Sequence, residues 1–331
     1  MQTLHISSRE AGQRLDKFLL KFLNQAPSSF IYKMLRKKNI VLNGKKVDGS
    51  EKISENDEIK LFLSDETIAK FSMPLEIVKG ILVDIVYEDE DVILINKPAG
   101  ILSQKAENSD VSMNEYLISY LIESGSLMIE DLVTFRPAVC NRLDRNTSGI
   151  ILAGKTMTGL QGLSQMLKRR TLDKYYLCLV AGEVSESALI KGYLSKDEQV
   201  NKVTISRRQG EVDSYIETAY RPLCSNGEVT LLEVELITGR THQIRSHLAS
   251  VGHAIVGDKK YGNNKINRRF RDIYGLKHQL LHAWCVCFKG CNDSEFNGLA
   301  NKSFKATLPN YFEEILKNEH LEDYNEENNF E

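Results

Sequence analysis

The apolar residues of this chain come in short, punctuated runs, and that spacing constrains the fold more than any other feature. Val83–Tyr87, Val92–Ile95, Ile150–Ala153, Tyr175–Val180, Val229–Ile237 and Trp284–Phe288 are each the length of a single strand. Pro and Gly close such runs, as in Asn96-Lys97-Pro98-Ala99-Gly100. Helical spacing is confined to stretches around 112–123, 157–168 and 241–251 in this part of the chain. Strands outnumber helices and do not alternate regularly with them. The expectation is an α+β fold with a mixed, mainly antiparallel sheet, not a doubly wound one.

With 331 residues the chain is long enough for two domains. Residues 1–64 read as a compact α+β module. Leu15, Phe18, Leu19, Phe22 and Leu23 recur at helical spacing. After a break at Pro27-Ser28-Ser29, Phe30, Ile31, Met34 and Leu35 form the apolar stripe of a second helix. Asn43-Gly44 sits between Ile40-Val41-Leu42 and Lys45-Lys46-Val47, a hairpin signal, and Ile59–Leu63 supplies a further strand. Residues 65–80 are unpatterned and read as a linker, 81–315 as the larger domain, and 316–331 as an acidic, mobile tail.

Charge is distributed unevenly. The formal net charge is −2, but residues 311–331 hold eight acids against Lys317, which leaves +5 for residues 1–310. Basic residues cluster at Lys33, Arg36, Lys37, Lys38, Lys45 and Lys46, at Lys168, Arg169 and Arg170, and at Arg268, Arg269 and Arg271. Such clusters serve phosphate contact or simply a solvated surface. No apolar run approaches the roughly eighteen residues that cross a bilayer. The first ten residues lack a secretory pattern, and six scattered cysteines fit a reducing cytoplasm better than a disulfide framework.

Three segments carry candidate chemistry. In Asn141-Arg142-Leu143-Asp144-Arg145-Asn146-Thr147-Ser148-Gly149, a carboxylate stands between two arginines in a polar loop that enters a strand. Guanidinium neighbours would keep Asp144 ionised as a base or nucleophile, and they would equally make a structural salt bridge. In Thr238-Gly239-Arg240-Thr241-His242-Gln243-Ile244-Arg245-Ser246-His247, Gly239 turns the chain and Thr241 can cap a helix with Ile244, Leu248 and Val251 inward. His242 and His247 lack the i, i+4 spacing of a zinc pair. In Lys174-Tyr175-Tyr176-Leu177-Cys178-Leu179-Val180, Tyr176, Cys178 and Val180 share one strand face, so Tyr176 is either core or the wall of a base-stacking pocket. Cys285, Cys287 and Cys291 near His282 lack paired Cys-x-x-Cys spacing, which argues against zinc.

Together these segments resemble the RluA-type pseudouridine synthase family. The resemblance rests on Arg142-Leu143-Asp144 with Thr147-Ser148-Gly149, on Thr238 through Arg245 continuing to Gly252-His253 and Gly257-Asp258, on Lys174-x-Tyr176, and on Leu281-His282-Ala283. Residues 1–64 resemble the S4 RNA-binding domain through Arg14-Leu15-Asp16, Tyr32 to Lys38 and Val41 to Lys45. One departure is Asn141, where the family usually has His.

The resemblance implies the pseudouridine synthase fold and isomerisation of uridine in RNA, with large-subunit ribosomal RNA as the expected substrate. It implies Asp144 as the catalytic carboxylate, Arg245 as its ion-pair partner and Tyr176 as the stacking platform. Arg142 is implied to fill the space left by the flipped base, and Lys33, Arg36, Lys37, Lys38, Lys45 and Lys46 to contact phosphates. No cofactor or metal is needed, and neither DNA nor membrane is an expected partner. A cytoplasmic monomer is expected. The alternatives are a transfer-RNA synthase and a non-catalytic ribosome-assembly factor on the same scaffold. A nucleotide-using enzyme is disfavoured by the absence of a Gly-x-x-x-x-Gly-Lys loop and of a dinucleotide fingerprint.

Overall fold

The computed structural model describes residues 1–7, 10–72, 78, 82–107, 109–133, 135–197, 202–206, 214–289, 296 and 298–322. Helices α1 (Leu15–Phe22) and α2 (Ser28–Arg36) pack on strands β1 (Gln2–His5), β2 (Ile40–Leu42) and β3 (Glu58–Leu61). The three strands form an antiparallel sheet in the order β1-β3-β2. Leu15, Phe18, Leu19, Ile31 and Leu35 are buried against Ile40, Ile59 and Leu61, which is the apolar pattern of the sequence turned inward. Asn43 and Gly44 both take positive φ, 49° and 71°, as a tight hairpin turn requires. The turn closes only a bridge between Leu42 and Lys45, and the long partner of β2 is β3.

The expected linker starts as structure. Helix α3 (Asp65–Phe71) is capped by Ser64, and Ile68 and Phe71 pack on the first core. The Ser72 hydroxyl donates to the Phe22 carbonyl at 3.0 Å. Helical spacing was too short here to stand out from an unpatterned segment. Residues 73–77 and 79–80 of that linker, and residue 81 after it, lie outside the described residues.

The second sheet collects β4 (Ile85–Glu88), β5 (Val92–Lys97), β6 (Ala138–Val139), β7 (Ser148–Gly154), β8 (Leu172–Ala181), β9 (Ala188–Asp197), β10 (Lys202–Ser206), β11 (Ser214–Ser225), β12 (Val229–Glu235), β13 (Leu281–Phe288) and β14 (Ser303–Lys305). Its path is β10-β9-β11-β12-β8-β13-β7-β5-β4, with β14 beside β13 and β6 beside β7. Among the described residues only β7 and β13 pair in parallel. Helices α4 (Met113–Glu123), α5 (Met157–Arg169), α6 (Gln243–Ser250), α7 (Asn264–Tyr274) and α8 (Asn310–Asn318) cover it. Every residue of β7 and β13 is buried, as expected for strands covered on both faces. Strands β9, β10 and β11 escape the sequence reading because they mix polar with apolar residues near one edge of the sheet. No helix among the described residues is long and apolar enough to cross a membrane.

The acidic tail is shorter than expected. Helix α8 runs to Asn318 and buries Phe312, Ile315 and Leu316, and Leu321 follows them into the same core. The Glu319 carboxylate is itself buried and takes hydrogen bonds from Arg269, Tyr274 and Asn226. The tail expected to be mobile thus begins with docked residues, and residues 323–331 lie outside the described residues.

Where β7 leaves the Asp144 loop it must pass directly against β13. Gly149 has φ +109°, and a Cβ there would lie 2.2 Å from the Ala283 carbonyl oxygen. Next to it, Ser148 Oγ is 2.9 Å from His282 Nδ1, and His282 Nε2 is 3.3 Å from the Ala306 carbonyl. A carbonyl only accepts, so Nε2 carries the proton and Ser148 donates to Nδ1. Burial pushes the His282 pKa down to about 4, so the ring stays neutral. Gly149→Ala is expected to destabilise the protein by about 3 kcal/mol or more, because backbone must move and φ is strained. Urea unfolding measures it, and a loss under about 1 kcal/mol would contradict this account of the crossing.

Candidate active site

Asp144 occupies the loop between β6 and β7, which neighbouring groups hold from below. Ser103 Oγ accepts from the Leu143 amide at 2.9 Å and donates to the Leu143 carbonyl at 2.8 Å. The fully buried Lys97 ammonium donates to the carbonyls of Pro98, Ile101 and Arg145 at 2.9, 2.7 and 3.1 Å. Burial pushes Lys97 down to about 7, and the charge of Asp144 works against that shift. The amide of Thr147 closes a turn onto the Asp144 carbonyl, and Gln279 Nε2 donates to Thr147 Oγ1. Asn141 Oδ1 accepts from the Leu152 amide at 2.7 Å, so this position ties the loop to β7. Leu143 tucks inward while Asp144 remains partly open to solvent.

The arginines adjacent in sequence are not its partners. Arg142 is exposed, and Arg145 lies 3.8 Å from Asp110 instead. Arg245, from α6, reaches Asp144 with Nη1 at 2.7 Å. Its other two nitrogens, Nε and Nη2, donate to both oxygens of Asp258 at 2.7 and 2.9 Å. A planar guanidinium is suited to this forked grip, which fixes the third donor in direction. Burial opposes the charge of Arg245, but the bonds and charges of Asp258 and Asp144 outweigh it and raise its pKa. Burial likewise works against Asp258, yet Arg245 and the amides of Lys260 and Tyr261 hold its pKa below the ordinary carboxylate value.

Helix α6 does not start as expected. Its N-cap is His242 in the left-handed region (φ 56°), not Thr241, and Val251 is exposed beyond its end. Gln243 replaces the hydroxyl cap. Its side chain bonds Thr238, Arg240, Glu217 and Thr218, which anchors the turn to β11. The Val203 amide donates to Tyr261 Oη at 2.9 Å, so the phenol proton is free for His242 Nδ1 at 3.1 Å. Burial lowers the pKa of His242, with Asp144 pulling the other way.

Asp144, Arg142, Tyr176, His242 and Arg245 meet at one open cleft. Leu143, Leu236, Ile244 and Leu281 give it apolar walls, and Arg240 stands at its side. This mixture of charged, aromatic and apolar lining suits a small planar ligand portion. Tyr176 is buried in the core with Cys178 and Val180, and it also lines the cleft. Burial, and then the charge of Asp144, raise its pKa, so it stays a neutral phenol.

Lys33, Arg36, Lys37, Lys38, Lys45 and Lys46 are exposed on the N-terminal module, apart from this cleft. The third basic cluster is largely spent internally: Arg269 grips Glu319 and Arg271 lies beside Asp272. No group of three metal-binding side chains occurs among the described residues, and Cys291 lies outside them. Sequence reasoning assigned no role to Asp258, Lys97, Ser103 or His242. A charged residue ending the apolar run of β5 was the available signal for Lys97.

The RNA pseudouridylate synthase family matches residues 91–250, and the S4 domain family matches residues 13–59. The chain is 31% identical over 320 residues to the ribosomal large subunit pseudouridine synthase C of Haemophilus influenzae, covering 93% of this chain and 94% of that one. It is 32% identical to the protein of the same description in Pasteurella multocida, over 87% and 86% of the two chains. Among solved structures, the human RNA pseudouridylate synthase domain containing 4 superposes with a TM-score of 0.57 at 20% identity, covering 73% of this chain and 95% of that one. This shared fold is the one that the resemblance implied, and the strand pattern pointed to its mainly antiparallel α+β character.

Asp258→Asn is expected to cost about 3–5 kcal/mol, since it leaves Arg245 buried with one fixed partner lost. Urea unfolding at neutral pH gives the value. A cost under about 1 kcal/mol would mean that Asp258 does not carry the arginine.

Proposed function

The chain belongs to the RNA pseudouridylate synthase family and carries an S4 domain, and on that premise we propose that it converts uridine to pseudouridine in large-subunit ribosomal RNA, with Asp144 as the catalytic carboxylate. The observation that carries the assignment of the site is the Asp144–Arg245–Asp258 chain at the cleft.

The reaction breaks N1–C1′, turns the uracil and joins C5 to C1′. The hydrogen of C5 is lost and N1 gains one, so substrate and product are isomers and no electrons are exchanged. The uridine must first leave the base stack, which costs a few kcal/mol. In this reading Arg142, exposed at the rim, fills the gap in the RNA. The uracil enters between Tyr176 and the apolar wall of Leu236 and Leu281. Arg245 holds one oxygen of Asp144 at 2.7 Å, leaving the other for the reaction. Attack on C6, attack on C1′ and removal of a ribose proton all use that same oxygen.

Lys33, Arg36, Lys37, Lys38, Lys45 and Lys46 hold the backbone of the RNA away from the cleft. Phosphate contacts of this kind add affinity without reading sequence. One chain supplies both cleft and basic face, in keeping with a monomer, and a ribosomal substrate places the protein in the cytoplasm.

Two experiments test this reading. A deletion strain of the source organism is mapped for pseudouridine in ribosomal and transfer RNA by carbodiimide-dependent primer extension, with wild type or Asp144→Asn restored. Large-subunit sites should vanish and return only with wild type, with turnover of Asp144→Asn down by more than about 10³-fold and RNA binding retained. Loss confined to transfer RNA would replace the substrate, and no loss at all would favour the assembly-factor reading. Second, replacing Lys33, Arg36, Lys37 and Lys38 with Ala together should flatten the slope of log affinity on log salt by about 3. An unchanged slope would remove this helix from the RNA interface.

A further inference from the structure

Strand β8 carries a second charged residue on the face that presents Tyr176. Lys174 lies one strand repeat before it, and alternation along a strand puts both on the cleft side. Tyr176 pairs with Ala283 and Lys174 with Val286 across β13, so the two stand side by side on the sheet. Lys174 and Tyr176 also line one small crevice together with Asn141.

The Lys174 ammonium is half-buried, and among the described residues no hydrogen bond or ion pair reaches it. Its neighbour Asp173 faces the other side of the strand and pairs with Lys289. Besides Asp173, the charge that acts on it is Arg170, a cation at the left-handed end of α5. Glu217, which senses Arg170, is already held by Lys191 and Tyr215. Burial first, then Arg170, lower the pKa of Lys174, and the charge of Asp173 works against them. What covers the ammonium is the turn at Gly239: a Cβ at that position would lie 3.8 Å from Nζ. The next residue, Arg240, is exposed and borders the cleft, as does Arg142.

An unpaired, partly desolvated cation in a folded protein costs stability, and such costs persist where a ligand repays them. We propose that Lys174, with Arg170 and Arg240 around the Gly239 turn, forms an anion subsite that takes a backbone phosphate next to the flipped uridine. The anion fills the space between three cations that the fold brings together from α5, β8 and the turn before α6. Holding a phosphate beside Tyr176 tethers the RNA next to the cleft, equally in the ground state and in the transition state. Lys174 is therefore a positioning residue for substrate. The subsite rests on the reading that RNA is the substrate, and it gives a role to the Lys168-Arg169-Arg170 cluster that the synthase motifs leave unused.

The test compares Lys174→Met, Lys174→Arg and the exposed-lysine control Lys302→Met on an in vitro transcript of large-subunit ribosomal RNA. Lys174→Met should raise Kd and KM about 5- to 10-fold near 0.1 M salt and make the salt slope shallower by about 1. Its kcat should stay within about twofold of wild type. Lys174→Arg should keep most of the affinity, and Lys302→Met should change nothing. Thermal unfolding separates this from a structural role: Lys174→Met should melt at or above the wild-type temperature, because it removes an unpaired charge. Wild-type affinity and slope in Lys174→Met overturn the subsite. So does a fall in Tm of more than about 5 °C, which marks a lysine needed for folding. Wild-type turnover in the same reactions reports separately on the synthase reading, and the affinity comparison is readable even where no uridine is converted.

Discussion

Everything at the cleft depends on one guanidinium shared between two carboxylates. Arg245 spends its two-nitrogen edge on Asp258 and points the remaining nitrogen at Asp144. Asp258 is buried and receives two backbone amides besides, so it is the fixed end of the chain. Asp144 is the open end, reachable from solvent. The asymmetry matters chemically. A carboxylate gripped on both oxygens would be a structural anion, whereas one gripped at a single oxygen keeps a free oxygen in a known direction. The three residues come from a loop before β7, from α6 and from a turn after it, so the ion chain also sets how those segments meet.

Such an arrangement requires the Asp144 loop to be stiff, and the fold supplies this with groups that are not themselves reactive. Gly149 lets β7 run against β13 closer than any side chain allows. Ser103 closes both backbone groups of Leu143, and Lys97 gathers three carbonyls from the two sides of the loop. These contacts answer the requirement that buried backbone polar groups be paired, and in doing so they leave Asp144 only one way to face. Asn141 belongs with them. Its side-chain oxygen accepts from the Leu152 amide, so this position tethers the loop to β7.

The legibility of this site followed the reach of local signals. Periodicity located the α1 and α2 cores and the buried strands β5, β7, β8, β12 and β13, because burial on a whole face writes itself into neighbouring residues. Edge-side strands β9 to β11 and the short β1 bury less and leave a fainter pattern. Ordered motifs brought Asp144, Tyr176 and Arg245 to notice, but spacing alone pointed Asp144 toward Arg142 and Arg145. In the fold, Arg142 turns outward and Arg145 lies near Asp110, while the true partner comes from 101 residues away. A long-range ion pair has no local signature, and neither does a Lys97 whose acceptors are carbonyls. The docked end of the chain misled for a related reason: Glu319 looks like solvated charge in composition, yet its partners Arg269, Tyr274 and Asn226 are all remote.

Pairing also resolves how a chain with net charge −2 can favour a polyanion. The acids around the cleft and the docked C-terminal helix are committed: Asp258 and Asp144 to Arg245, Glu319 to Arg269, Asp173 to Lys289, Glu88 to Lys155. A committed pair projects little field beyond a Debye length of about 8–10 Å. The cations left over are not scattered. Arg142 and Arg240 border the cleft, Lys174 sits beside its tyrosine, and the lysines of α2 and the following turn stand on the N-terminal module. Net charge counts both populations alike, but an approaching phosphate feels mainly the uncommitted one. The sign of the sum therefore says little about the ligand, whereas the location of unpaired cations around an ionised carboxylate says where a nucleotide can settle.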